Sequence, residues 1–249
     1  IVGTEAVAKS KADGYSLLVV SSSHAMNPAM YSKLPYDTAR DFVPVSLLLS
    51  GPTLVVAHPS LPAKNARELI ALAKAKPGVL TFASAGHGTP PHMAGELFKS
   101  LAKIDILHIP YKGNALAITD LMGGQITTMF SDALPAMQAM KTGKLRAIAV
   151  TSAKRSQAMP ELPTIGETLK GYDASTWYGV LAPAKTPRAI IDKLNSEAMK
   201  AIASPYYRER LNILIADVAG STPKEFAAYI RSEYDKYGQV IKATGARAD

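Results

Sequence analysis

Short β-rich runs alternate with amphipathic helical patterns along most of this chain, and this alternation constrains the fold more than any single motif. Thr53–Ala57 is one such run, and the capping box of Asn65 and Glu68 opens the helix that follows it. The same change from strand to helix is predicted over residues 79–101, 104–122 and 126–141. Strands separated by helices favour an α/β fold with largely parallel sheets.

The outer parts of the chain continue the pattern. Tyr15–Ser22 is predicted to be a buried strand, Thr176–Leu181 an aromatic-rich strand, and Ile213–Val218 a last short one. The final helix is predicted to begin at Thr222, where Glu225 completes a second capping box. A length of 249 residues is enough for one large domain or two small ones.

Composition narrows the classes of function. The net charge is +8, but the basic residues are scattered and Lys154-Arg155 is the only adjacent pair, so we expect no nucleic-acid partner. The absence of cysteine excludes disulfides, thiolate metal ligands and a cysteine nucleophile. Apolar runs such as Leu17–Val20 are far shorter than the roughly 20 residues of a membrane helix, so we expect no direct membrane insertion.

The most informative segment is a glycine-rich loop between a predicted strand and a predicted helix. It consists of Ser84, Ala85, Gly86, His87, Gly88 and Thr89. Its glycines permit tight turns, and the free N–H groups of the helix that follows would form an anion site to which the hydroxyls of Ser84 and Thr89 add donors. A plain strand-to-helix turn with a good cap is the alternative.

Three other strand ends carry polar residues that are candidates for ligand binding. Ser21 and Ser22, with His24, stand at the carboxyl end of the strand that begins at Tyr15, where a solvated loop is the alternative. Lys112 precedes a helix and favours an anion, unless it is simply exposed on a turn. Asp132 follows another strand and either caps the next helix or accepts a hydrogen bond from a ligand.

The five histidines give no sign of catalysis or of a metal site. The spacing of His87 and His92 differs from the i, i+4 pair of a helical zinc site, and no Gly-x-Ser-x-Gly elbow is present. We therefore expect no enzyme activity, no cofactor and no metal.

Several segments are similar, in order, to one family. They are Ala12–Tyr15, Leu54–Val56, Ala73–Gly78, Phe82–Thr89 with His92, Ile109–Gly113, Asp120–Gly124, Met159–Thr164, Trp177–Val180, Ala182-Pro183, Thr186-Pro187 and Ser221–Pro223. In these motifs the chain resembles the Bug-type extracytoplasmic receptors of tripartite tricarboxylate transporters. Each motif is weak alone, but the ordered set is specific to that family.

The resemblance implies a type II periplasmic binding-protein fold, in which two α/β lobes joined by two crossing strands close on a ligand like a Venus flytrap. Lobe 1 would hold residues 1–58 and 176–249, and lobe 2 residues 59–175. The crossings would fall at Thr53–Ala57 and Thr176–Leu181. The glycine-rich loop, the segment 21–24 and Asp132 match cleft positions of the family.

The resemblance also implies a periplasmic solute-binding receptor that captures a small organic carboxylate. Its other partners would be the membrane components of the transporter. Family members carry further strands and a helix before the Gly-Thr-Glu found here at Gly3–Glu5, so we expect the first strands of lobe 1, and the signal peptide, to be missing from this chain. The alternatives are an effector-binding module of a regulator, or a hydrolase that uses the glycine-rich loop as an oxyanion site.

Overall fold

A computed structural model describes residues 1–157 and 159–247, and its strands form two separate sheets. The strands are β1 Leu18–Ser21, β2 Phe42–Gly51, β3 Thr53–Ala57, β4 Thr81–Ser84, β5 Leu107–Pro110, β6 Thr128–Asp132, β7 Arg146–Val150, β8 Thr176–Pro183 and β9 Asp217–Val218. The helices are α1 Val2–Ala8, α2 Ser23–Met30, α3 Ala66–Ala75, α4 Pro90–Ala102, α5 Asn114–Met122, α6 Ala133–Met140, α7 Arg188–Ala203, α8 Pro205–Leu214 and α9 Pro223–Thr244. The α/β class is as the sequence predicts.

The two sheets differ in strand direction. The first has the order β1-β8-β2-β9, and each of its pairings is antiparallel. The second has the order β5-β4-β6-β3-β7, in which β4 pairs in parallel with β5 and β6 while β3 lies antiparallel between β6 and β7. The prediction of largely parallel sheets is therefore wrong for the first sheet. An alternating pattern reports which elements follow one another, but not which strands become neighbours.

The chain crosses between the two sheets twice, and the two crossing segments lie side by side. Gly51, the last residue of β2, pairs with Thr176, the first residue of β8. Next to this pair, the hydroxyls of Thr53 and Thr176 lie 3.4 Å apart. The backbone N–H of Thr53 also donates to the Thr151 hydroxyl at 2.9 Å. The division into lobes stays a prediction, and the membership of β3 in the second sheet favours a boundary near residue 52 rather than residue 58.

Helices cover both faces of the second sheet. On one face α3 and α4 pack over side chains such as Phe82 and Phe130, and on the other α5 and α6 pack over side chains such as Leu54 and Met129. In the first sheet, Trp177 of β8 is fully buried against Phe226 of α9. The helix α9 continues from there into the core of the second sheet. No helix in the described part of the chain is long and apolar enough to cross a membrane.

Two predicted strands differ from the structure, and a third strand is unexpected. The strand predicted at Tyr15–Ser22 is shortened to β1 and is only partly buried, with Val19 66% exposed. The strand predicted at Ile213–Val218 begins only at Asp217, because α8 continues to Leu214. The ten-residue strand β2 is not among the predicted elements, and it contains Pro44. The sheet tolerates this proline at an irregularity in the pairing with β8.

Candidate ligand-binding site

The carboxyl ends of β4, β5 and β6 lie at one edge of the second sheet, because these three strands run in parallel. The segments that leave them are bonded to one another there. The N–H of Tyr111 donates to the carbonyl of Ser84, and the N–H of Gly113 donates to the carbonyl of Ala85, both at 3.1 Å. The predicted residues of the glycine-rich loop and the turn holding Lys112 are thereby brought together. The Lys112 side chain itself is exposed.

The start of α2 reaches the same edge from the first sheet. The Ser23 hydroxyl donates to the carbonyl of Gly88 at 3.3 Å, across 65 residues of sequence. The N–H of Ser22 donates to the carbonyl of Trp177, which fixes the N-terminus of α2 to β8. The structure thus brings two predicted segments, 21–24 and 84–89, into contact.

The polar groups of the glycine-rich loop are mostly satisfied within the loop. The buried Ser84 hydroxyl accepts a bond from the N–H of Gly86 and lies 2.8 Å from Nε2 of His108. The Thr89 hydroxyl donates to the carbonyl of Gly86 at 2.7 Å. Gly86 and Gly88 have φ angles of 137° and 71°, which other residues rarely adopt. The prediction that the two hydroxyls are free donors is therefore wrong.

The first turn of α4 does not supply the expected free N–H groups. Its first two residues are Pro90 and Pro91, which have no N–H. The N–H of His92 donates to the Thr89 hydroxyl, and that of Met93 bonds to the Thr89 carbonyl. The helix dipole remains, but the donors that an anion or an oxyanion would need are absent from this turn.

The first turn of α2 is better equipped to hold an anion. Helix geometry leaves its first N–H groups without partners inside the helix, although that of Ala25 donates to the Ser22 carbonyl at 3.1 Å. The hydroxyl of Ser22, the residue that precedes the helix, is fully buried and has no hydrogen-bond partner. A buried hydroxyl without a partner carries a desolvation cost that a ligand oxygen at this position would relieve.

His24 points into a different part of the molecule. Its ring packs edge-on against Phe42 and lines a cavity of about 690 Å³ that also contacts Tyr36 and Tyr234. The described residues that line this cavity include none from the glycine-rich loop. Burial lowers the pKa of the His24 imidazole to about 4, so the ring is neutral at neutral pH.

Asp132 is held by a residue that the sequence analysis did not single out. Its carboxylate accepts a hydrogen bond from the Asn114 side chain at 2.8 Å and makes no side-chain cap to α6. The Ser131 hydroxyl donates to the oxygen of the same Asn114 amide at 3.3 Å. Asp132 also lines a cavity of about 380 Å³ together with Tyr178, whose pKa is raised by burial and by the nearby Asp132 carboxylate. The sequence feature that points to Asn114 as a site residue is its position directly after Lys112-Gly113, at the start of a helix.

Three histidines converge behind the glycine-rich loop, which their spacing in sequence did not predict. His87 is exposed on the loop, His92 is buried in the first turn of α4, and His108 lies on β5. The rings of His92 and His108 stack with centroids 4.1 Å apart. Burial is the main reason that the pKa of His92 is lowered to about 4 and that of His108 to about 3, with smaller contributions from the neighbouring histidines and Lys99.

Comparison with known proteins gives one consistent family. Residues 1–246 match the family described as "Tripartite tricarboxylate transporter family receptor". Among curated proteins the chain is 35% identical to Protein BugT of Bordetella pertussis over 252 residues, which cover 99% of this chain and 77% of that protein.

Solved structures agree with this match. The chain superposes on "R. palustris Rpa4515 with adipate" with a TM-score of 0.85 and 31% identity, covering 99% of this chain and 83% of the other. It superposes on "MatC (Rpa3494) from Rhodopseudomonas palustris with bound malate" with a TM-score of 0.79 and 29% identity, covering 96% and 83%. These likenesses confirm the predicted two-lobed binding-protein fold.

Proposed function

The chain belongs to the family of tripartite tricarboxylate transporter receptors, and we propose that it captures a small organic carboxylate between its two lobes and delivers it to such a transporter. Support comes from similar proteins whose structures contain adipate and malate, both of which are dicarboxylates. The receptor binds its ligand without chemical change, outside the cytoplasm. The membrane components of the transporter are its partners.

The observation that carries the proposal is the N-terminus of α2, where the unpartnered Ser22 hydroxyl is buried. A carboxylate there accepts hydrogen bonds from this hydroxyl and from the N–H groups of the first turn that precede Ala25, and the helix dipole favours its charge. Because the Ser23 hydroxyl touches Gly88, such a ligand also lies against the glycine-rich loop.

Polar groups across the edge of the second sheet are suited to the rest of the ligand. Asn114 and Asp132 form one hydrogen-bonded pair there, and Lys112 is exposed on the adjoining turn. Asp132 accepts hydrogen bonds from hydroxyl groups, whereas Lys112 attracts a second carboxylate. We therefore assign Ser21, Ser22, the loop 84–89, Lys112 and Asp132 to the ligand cleft. His24 stays outside it because its ring lines another cavity.

The proposal is tested by a thermal-shift screen over mono- and dicarboxylates, followed by calorimetry on Ser22→Ala. We expect at least one carboxylate to raise the melting temperature. Ser22→Ala should weaken its binding about 10- to 100-fold, the loss of one hydrogen bond to a charged group. The ligand-free melting temperature should not fall, because the Ser22 hydroxyl has no partner to lose.

Ser10→Ala is the matched control, since the Ser10 hydroxyl bonds only to the end of α1. If no carboxylate binds, the proposed function is wrong. If a carboxylate binds with equal affinity to Ser22→Ala and to the parent, the function stands and the assignment of the N-terminus of α2 is wrong.

A further inference from the structure

The cluster of His87, His92 and His108 has a geometry that ligand capture does not require. The three side chains come from the glycine-rich loop, from α4 and from β5, and within the described residues they form a group whose candidate ligand nitrogens all lie within 4.8 Å of one another. We propose that these histidines bind a divalent transition-metal ion such as Zn²⁺. Three imidazoles and one open position are a donor set that Zn²⁺ accepts.

The distances require only a small contraction. Imidazole nitrogens about 2.0–2.1 Å from a tetrahedral ion lie about 3.4 Å from one another, so the nitrogens must approach by a little more than about 1 Å. His87 is free to make this approach because it is exposed and flanked by Gly86 and Gly88. One of the stacked rings of His92 and His108 must turn, because both lone pairs have to point at the same ion.

A buried carboxylate lies close to His92. Its Nε2 lies 3.9 Å from the carboxylate of Glu96, which is itself buried. Metal-binding histidines commonly donate their second ring N–H to such a carboxylate. We therefore assign Nδ1 of His92 to the metal. This nitrogen now accepts a hydrogen bond of 3.2 Å from the N–H of Gly88, and a small shift of the loop would release it.

His108 is oriented in a comparable way. Its Nε2 lies 2.8 Å from the Ser84 hydroxyl, which leaves Nδ1 for the ion. Lys99 pairs with Glu96 at 3.3 Å, which reduces the repulsion that its charge exerts on a cation at the cluster. Burial favours neutral imidazole, which is the form that binds metals.

Calorimetric titration of the tag-free chain with Zn²⁺ tests the proposal. We expect one ion per chain, and Co²⁺ in its place should show the strong visible absorption of tetrahedral coordination. His87→Gln should weaken Zn²⁺ binding at least about tenfold, and Glu96→Gln about 10- to 100-fold. His87 is exposed, so this substitution leaves the fold intact.

His58→Gln is the matched control, because the His58 ring bonds to Ser60 and lies outside the cluster. Binding that is unchanged in His58→Gln and weakened in His87→Gln supports the site. The proposal is overturned if the parent binds Zn²⁺ more weakly than about 1 mM, or if His87→Gln binds it as the parent does. Carboxylate affinity is measured separately, in a buffer that contains a metal chelator. A failure of the metal-site proposal then does not count against the proposed receptor function.

Discussion

Individual buried side chains in this protein differ in whether their polar atoms have a hydrogen-bond partner. Glu233 is buried yet bonded to the Trp177 indole at 3.0 Å and paired with Lys236, so it stabilises the junction of α9 and β8. The Ser22 hydroxyl is buried with no partner. A buried hydroxyl without a partner destabilises the folded state, and under the proposed function a ligand oxygen bound at Ser22 relieves that cost.

His24 makes stability depend on pH. Its pKa is lowered to about 4 by burial, whereas the unfolded chain has the ordinary value of 6.5. Between these values the unfolded state binds more protons, so the free energy of unfolding is highest above about pH 6.5 and falls as the pH drops towards 4. Urea denaturation at pH 7 and pH 5 should show this loss. It should be smaller in His24→Gln and unchanged in His58→Gln. Equal losses in all three proteins would contradict the assignment.

At the scale of secondary-structure elements, the sequence predicts the features that depend on residues close together in the chain, such as helix caps. The caps at Asn65, Thr89 and Thr222 are present, and the helices they open begin where predicted. Strand direction was not predictable, because β8 inserts between β1 and β2 from more than a hundred residues away. The histidine cluster was not predictable for the same reason. His108 joins His87 and His92 only through the pairing of β4 with β5.

The packing of α4 on the second sheet depends on a single small residue. A Cβ added to Gly95 would lie 2.2 Å from the ring of Phe82. Gly95→Ala should therefore destabilise the protein by about 1–3 kcal/mol through overpacking, although alanine favours helix. Gly238→Ala in α9 is the matched control, since nothing lies within 4 Å of its added Cβ, and it should stabilise by about 0.5–1 kcal/mol. Thermal unfolding should show a lower melting temperature for Gly95→Ala and a higher one for Gly238→Ala. A shift in the same direction in both variants would contradict this account of α4.

At the scale of the whole molecule, the two sheets are joined by α9 and by the two crossing segments, which lie side by side at one junction. Gly51 pairs with Thr176 there, and Thr53 bonds to Thr151 just beyond. Away from this junction, the contact between the Ser23 hydroxyl and Gly88 is a single hydrogen bond. Such an arrangement permits the lobes to move about the junction, because little has to be broken elsewhere near the cleft.

Ligand binding should therefore change the overall shape. In small-angle scattering, a saturating carboxylate found by the thermal-shift screen should reduce the radius of gyration by closing the cleft. A carboxylate that gives no thermal shift is the control and should leave the radius unchanged. An unchanged radius at saturation with the bound ligand would contradict closure of the lobes.

The helix α9 contributes to the cores of both sheets. Phe226 near its start is buried against Trp177, and Tyr237 and Ile241 near its end are buried with the residues of α3 and α4. On the ribosome, α9 is made after every other described element, so neither core is complete until it has emerged. Docking of one helix therefore completes both cores, which couples the folding of the two halves.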